Sequence, residues 1–501
     1  MKNKTKIYSS IVVVLMLLMI PIKVNADNYI SLKFNTFNSI CSLVESEKVI
    51  NFPDKNLEKA VRDIINKPNG NIYISDVDKI EELSINNKKI STLEGIQYLT
   101  GLKKLNLRFN DIHSINQLSD LINLQFLHLG YNKILDISPL VTLTNLSKLN
   151  LESNMISNID ILSKLVKLES LSLYNNNASD LQPLSGLLKL KDLNLYINKI
   201  QDINALNRLV NLTSLALGMN QISNIDSLKY LTNLKTLELD QNNISYIKSL
   251  SALPKLNYLY LYGNQIIDIN PLSSLKSLKY LELSNNKIVD VSGLRLLTNL
   301  KQLSISNNEL KDVKGLAALK NMKSLVLSHN LINSINELGS LNNLTSLIVD
   351  NNKIKDVKGL GTLKSLRFLD ISQNQIGDIT PLRILDNLPL TNITFAGNPL
   401  PEYVFKDKLN QQFILSMLSP YIAKAVEKYY GGFRQYMNSG ILDIESTNEG
   451  FKLKLIIETF VGPHNPPYGL DTITLINNDS EIKVMDFKHE DLEKEYDDLF
   501  D

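Results

Sequence analysis

Asparagine recurs every 22 residues through the middle of the chain, at positions 110, 132, 154, 176, 198, 220, 242, 264, 286, 308, 330, 352 and 374. Apolar residues stand at set offsets from each one, so that one period reads Leu124, Leu127, Leu129, Asn132, Ile134, Ile137, Leu140, Leu143. A unit this short cannot enclose its own apolar side chains and needs a like unit on either side. That requirement rules out an ordinary globular core for this stretch and leaves a stack of rungs.

The alternation Leu127-x-Leu129 has a period of two, which makes a short strand with leucines pointing inward and the residues between them pointing outward. Stacked rungs therefore share one parallel sheet. After each Asn the apolar spacing lengthens to three, which suits a 3₁₀ or extended return along the opposite wall. Pro139, Pro183, Pro271 and Pro381 fit that wall, because proline cannot donate to a central strand ladder. The expected fold class is an α/β solenoid, the leucine-rich-repeat horseshoe, with a concave parallel sheet and a 3₁₀ or extended convex side. A helical N-terminal cap and a small α+β C-terminal domain complete it.

Each Asn sits where the chain leaves its strand, and its amide both donates and accepts, so a ladder to backbone groups of its own and adjacent rungs is expected. Asp136, Asp180, Asp202, Asp268, Asp290, Asp312, Asp356 and Asp378 follow four places later. A column of carboxylates raises the question of calcium, but short polar side chains at a turn are explained by capping, and no metal or cofactor is assigned.

The first residues place Lys2, Lys4 and Lys6 before an apolar run from Ile11 to Ile22, then Val24, Asn25 and Ala26. This is the layout of a secretory signal peptide cleaved after Ala26, and the run is short of the roughly 20 residues a membrane span needs. The expected location is secreted, with no transmembrane anchor. Losing the leader's lysines turns the formal charge of +1 slightly negative, which gives no reason to expect nucleic acid as a partner. Cys41 is the single cysteine, so an intramolecular disulfide is excluded. The expected division is a signal peptide at 1–26, a linker at 27–44, a helical cap at 45–79, about 15 leucine-rich repeats over 80–405, an α+β domain at 406–489 and an acidic tail at 490–501.

The cap carries a more specific signal. Phe52-Pro53-Asp54 leads into Asn56 to Ile65 with apolar residues at helical spacing, and Pro68-Asn69-Gly70 stops it. An atypical first rung follows, with Ile80, Leu83 and Ile85 in register and Lys88 in place of Asn. Phe52 to Gly70 and then Ile80 to Leu99 resemble the N-terminal cap and first repeat of the internalin family, and the likeness covers about residues 45 to 400. The resemblance implies a non-enzymatic receptor-binding or adhesion protein of a Gram-positive bacterium, tied to host interaction and virulence. The chain departs from many internalins in showing neither an immunoglobulin-like module nor a wall-sorting motif.

Residues 408 to 430 have apolar residues at helical spacing, interrupted by Pro420 and ended by Gly431-Gly432. Strand-like runs follow at 441–444, 451–460, 472–476 and 482–487, so a helix on a small antiparallel sheet is expected. Glu458 to Thr474 resembles a small secreted domain of unknown function found in sporulating Gram-positive bacteria. His464 with Tyr468, Asp471 and Glu458 supplies groups suited to acid–base work, yet Pro466-Pro467-Tyr468-Gly469 reads first as a rigid hairpin loop.

Function belongs on the outward positions of the strands, two, four and six places before each Asn. Most are Ser, Asn, Lys or Asp. The exceptions are Tyr174 and Tyr196 on adjacent rungs, and Tyr258, Tyr260 and Tyr262 on one strand with Tyr280 beside Tyr258. These last four rings are expected to form a contiguous patch. Glu238 and Glu282 flank Tyr260, Asp240 flanks Tyr262, and Phe126 with His128 make a smaller cluster. Tyrosine gives rigid, amphipathic contact area, so the expected function is monomeric recognition of a protein or glycan through the concave face. Carboxylates around the rings favour a partner presenting Lys or Arg. The alternative places activity in the C-terminal domain, as a hydrolase or inhibitor, with the solenoid as a scaffold. No Ser/His/Asp signature, zinc spacing or phosphate loop supports an enzyme.

Overall fold

In the computed structural model, the described residues are 48–385, 393–395, 397–400, 408–430, 435–447, 450–460, 469–478 and 481–491. The signal peptide, the linker, Cys41, the His464–Tyr468 loop and the tail from 492 lie outside them. The chain divides into two compact units, Met1–Lys199 and Ile200–Asp501.

The first unit opens with the cap. Val49–Ile50 pairs antiparallel with Ile72–Tyr73, and the helix Lys55–Ile65 buries Leu57 and Val61 with Phe52. Asp54 starts that helix by accepting from the backbone N–H groups of Asn56 and Leu57 at 2.9 and 3.1 Å. Asn66, at φ 50°, ends it in the left-handed region. The other Asp54 oxygen accepts from the Ser91 N–H at 2.8 Å and so ties the cap to the first rung.

Rungs of one kind then follow in both units. From Glu82–Ser84 to Asp192–Asn194, parallel three-residue strands align Leu83, Leu105, Leu127, Leu149, Leu171 and Leu193, all buried. The second unit repeats the register from Ser214–Ala216 to Ile393–Thr394. The opposite wall is a series of 3₁₀ turns such as Ser138–Thr142, and all four wall prolines sit in the first positions of such turns. The eight aspartates expected to cap turns do so, each accepting from the N–H two residues on, at 2.6 to 2.9 Å.

The asparagine ladder runs through backbone rather than from amide to amide. Asn242 donates to the carbonyls of Leu217, Leu239 and Asp240 at 3.0 to 3.2 Å, while its oxygen accepts from Ile222 N–H at 2.9 Å. Sequence reading did not anticipate the residue before each Asn, which is left-handed in rung after rung, with φ of 57°, 55° and 56° even at Phe109, Tyr131 and Ile197. Such a conformation costs a side chain with a Cβ about 1–2 kcal/mol, and stacking on the rungs either side supplies it.

The C-terminal segment is a helix, Lys408–Tyr430, and a four-stranded antiparallel meander of Gln435–Thr447, Gly450–Phe460, Gly469–Asn478 and Glu481–Asp491. The helix was expected to break at Pro420 but runs through it. Leu415, Leu418, Ile422, Ala425 and Val426 bury a continuous stripe across the proline, and that burial outweighs one missing hydrogen bond. Alternation in the middle strands buries Leu453, Leu455, Ile457, Ile473 and Leu475 on one face. The last strand reaches Asp491, inside the stretch read from sequence as tail.

Candidate binding surface

In the second unit, the strand Tyr258–Tyr260 lies between Thr236–Glu238 and Tyr280–Glu282. The register sets Tyr260 opposite Glu238 on one side and Glu282 on the other, as the spacing required. The rings do not pack as four. Tyr280 is opposite Tyr258 in register, yet its ring leans diagonally onto Tyr260, with centroids 4.9 Å apart at 37°. Tyr258 stands 43% exposed beside this pair. Strand twist and the length of the side chain favour the diagonal neighbour over the direct one.

Charge in this patch is held at a cost. Burial pushes the Glu238 carboxyl above its ordinary range, and the neighbouring Asp240 pushes the same way. Burial also raises the phenols of Tyr260 and Tyr280, helped by Glu238 and Glu282 respectively, so both remain hydrogen-bond donors. Glu282 is oriented by the Ser284 N–H, which donates to it at 2.9 Å. The result is a half-buried ring pair bordered by carboxylates, a setting that attracts a cation over the ring face.

In the first unit Tyr174 and Tyr196 pair as the column predicts, with centroids 6.1 Å apart. Phe126 and His128 meet edge to face at 6.5 Å. Sequence reading missed a third group of rings in this unit. Arg108 lies over the rings of Phe109 and Tyr131, 4.4 and 4.9 Å from the centroids, and these rings are themselves 4.4 Å apart. Its Nε is 3.2 Å from Glu152. Phe109 and Tyr131 occupy the left-handed position immediately before each Asn, which the rule of alternate outward residues passes over.

The acid–base groups expected in the C-terminal domain are placed differently. Asp471 is fully buried and accepts from the Tyr430 hydroxyl at 2.8 Å, while His489 Nδ1 is 2.6 Å from the same carboxylate. Register sets Asp471 opposite His489, and Tyr430 is the last residue of the helix. His464 and Tyr468 are outside the described residues, and Glu458 lies opposite Leu470 on the neighbouring strand. Among the described residues no cluster of His, Cys, Asp or Glu is arranged to hold a metal, and no helix is long and apolar enough to cross a membrane.

Residues 100–142, 122–164, 144–186, 232–274, 254–296, 298–340 and 342–384 match the family described as Leucine Rich repeats (2 copies). Residues 410–491 match one described as Protein of unknown function (DUF3888). No curated protein sequence matches the chain. Among solved structures, an internalin (inlF) of Listeria monocytogenes is 36% identical with a TM-score of 0.61, over 63% of this chain and 94% of that one. A leucine-rich-repeat protein of Leptospira interrogans is 31% identical with a TM-score of 0.61, over 64% of this chain and 85% of its own. The repeat ectodomain of a plant receptor kinase from Arabidopsis thaliana, in complex with Casparian strip integrity factor 2, shares the fold at 23% identity. Its TM-score is 0.53, over 65% of this chain and 45% of that one.

Proposed function

Since the chain belongs to the internalin-like leucine-rich-repeat proteins, we propose that it is a secreted, non-enzymatic binding protein that recognises a protein or glycan through the outward residues of its parallel sheet. The observation that carries this reading is the ring pair Tyr260–Tyr280, half-buried and bordered by Glu238, Asp240 and Glu282 on a surface the core does not require. A Lys- or Arg-bearing partner fits it. Its cation meets both ring face and carboxylate, and the rings lose little freedom on binding. A receptor or adhesion ligand on a host cell is the partner class that accords with the internalin likeness. The leader ending at Ala26 accounts for export.

The test uses the full chain and a fluorescent lysine-rich peptide as probe. Changing Tyr258, Tyr260 and Tyr262 to Ser is expected to leave thermal unfolding within a degree or two, because none of the three lies in the core, and to abolish saturable capture of the peptide. Undiminished capture by the triple variant would remove the reading.

The C-terminal domain offers a second reading through the buried Asp471 with Tyr430 and His489. A hydrolase there needs an imidazole whose proton turns over. His489→Gln that leaves every activity of the full chain intact would reduce this cluster to a clasp between helix and sheet.

A further inference from the structure

Three neighbouring rungs of the first unit place nine outward positions in a grid. One column reads Lys104, Phe126, Lys148 and the next Asn106, His128, Asn150, with each row in register. The third, beyond the strand ends, is Arg108, Gly130, Glu152. The middle column shares one internal device. The side chains of Asn106, His128 and Asn150 each accept from the backbone N–H two residues on, at 3.2, 3.2 and 2.9 Å. A backbone N–H only donates, so the atom facing it is an acceptor. In each amide the oxygen is therefore turned inward and the NH₂ outward, and in His128 Nδ1 is the bare nitrogen and Nε2 carries the proton. Burial lowers the pKa of His128, Arg108 adds to this against the pull of Glu152, and the imidazole is neutral at pH 7.

The third column depends on a missing side chain. A Cβ on Gly130 would stand 2.5 Å from Glu152 Cγ and 2.8 Å from His128 Cε1, so both side chains fill the hollow the glycine leaves. Glu152 crosses it to meet Arg108 Nε at 3.2 Å. The grid's single carboxylate is thereby ion-paired with Arg108 from within, though Nε makes no hydrogen bond, and the guanidinium is stacked on Phe109 and Tyr131. These rings are 44% and 36% exposed. Lys104 is paired with Glu82 at 2.6 Å and the imidazole Nε2 lies 3.7 Å from Glu152. The donors left facing out are therefore the Arg108 Nη atoms, the two amide NH₂ groups and Lys148.

We infer that this surface binds an acidic polypeptide segment, whose carboxylates meet the Arg108 fork and the amide donors while an adjacent apolar side chain lies on Phe109 and Tyr131. A surface that has used its acceptors internally complements a ligand rich in acceptors, and a planar, pre-positioned guanidinium matches a carboxylate with two parallel hydrogen bonds. The preference is opposite in sign to that of the tyrosine patch. The inference extends the proposed binding function to a second chemistry and stands or falls separately from it.

The probe is fluorescein-labelled poly-L-glutamate, titrated with the full chain by anisotropy, with heparin and poly-L-lysine as comparators. Saturable binding is expected, at least tenfold weaker with Arg108→Gln and Lys148→Gln together and unchanged with the Tyr258, Tyr260 and Tyr262 serine set. Arg108→Lys keeps the charge but loses the fork, and is expected to recover only part of the loss. Lys148→Gln alone, on an exposed side chain, keeps the test decisive should the double variant unfold; a severalfold loss is expected. Polyglutamate binding unaffected by these changes, or none at all, would overturn the inference. So would heparin bound more tightly than polyglutamate, which would assign the surface to an anionic polysaccharide. Loss of lysine-peptide capture by the tyrosine variant, with polyglutamate binding intact, would separate the two sites.

Discussion

At the scale of single residues, two carboxylates show opposite economies. Burial opposes the charge of Asp54, but the N–H groups of Ser91, Leu57, Asn56 and Thr92 outweigh it and hold the carboxyl below its ordinary 3.8. A depressed folded pKa contributes stability that is present above the unfolded value and lost as pH falls through the folded one. Asp54→Asn is expected to keep most of the cap near pH 7 and to flatten the acid limb of unfolding below about pH 4. Asp54→Ala is expected to cost about 1–2 kcal/mol in urea titrations at pH 7. Glu238 runs the other way. Its folded pKa is raised, so its contribution favours the fold below the ordinary 4.5 and is lost as pH rises through the folded value. Glu238→Gln is therefore expected to raise the unfolding midpoint at pH 7 and leave it unchanged at pH 4, while weakening capture of a lysine peptide. A lower midpoint at pH 7 would contradict the assigned strain. Of these local effects, turn capping by Asp136 and its counterparts was legible in sequence, since donor and acceptor lie two residues apart. The bracing of Arg108 was not, because it needs a glycine on the next rung and a glutamate on the one beyond.

At the scale of the rung, the leucines set the period and the asparagines close it. Asn242, for one, satisfies carbonyls in two rungs and one N–H in the preceding rung, in places closed to water. Asn242→Ala leaves these groups without partners and is expected to cost about 1–3 kcal/mol, read as a shift in urea midpoint. Asn242→Asp is expected to be no better, since a carboxylate accepts but cannot donate to the carbonyls of Leu217 and Leu239. An effect below a few tenths of a kcal/mol would mean that water replaces the amide. The left-handed residue before each Asn was not legible, because side chains such as Phe109 or Ile197 disfavour that conformation on their own. The helix through Pro420 has the same lesson, since local propensity argued for a break and a buried stripe overrode it.

At the scale of the whole molecule, stability in a repeat chain is approximately a sum over rungs and their interfaces, so changes that respect the period are tolerated. Deleting residues 287–308, one full period, is expected to preserve cooperative unfolding and far-UV circular dichroism with a modestly lower midpoint. Deleting 287–297, half a period, sets strand against wall and is expected to abolish cooperativity; equal tolerance of both would deny that neighbouring rungs share a core. The period, the inward leucines, the wall prolines, the cap helix and the tyrosine column were all readable in one dimension, because a fixed repeat converts sequence offset directly into spatial register. Which rings touch was not, nor which side-chain atoms face outward, nor the pairing of Asp471 with His489 and Tyr430. Those outcomes depend on side-chain direction across neighbouring strands and on where a helix end meets a sheet, and no spacing along the chain encodes either.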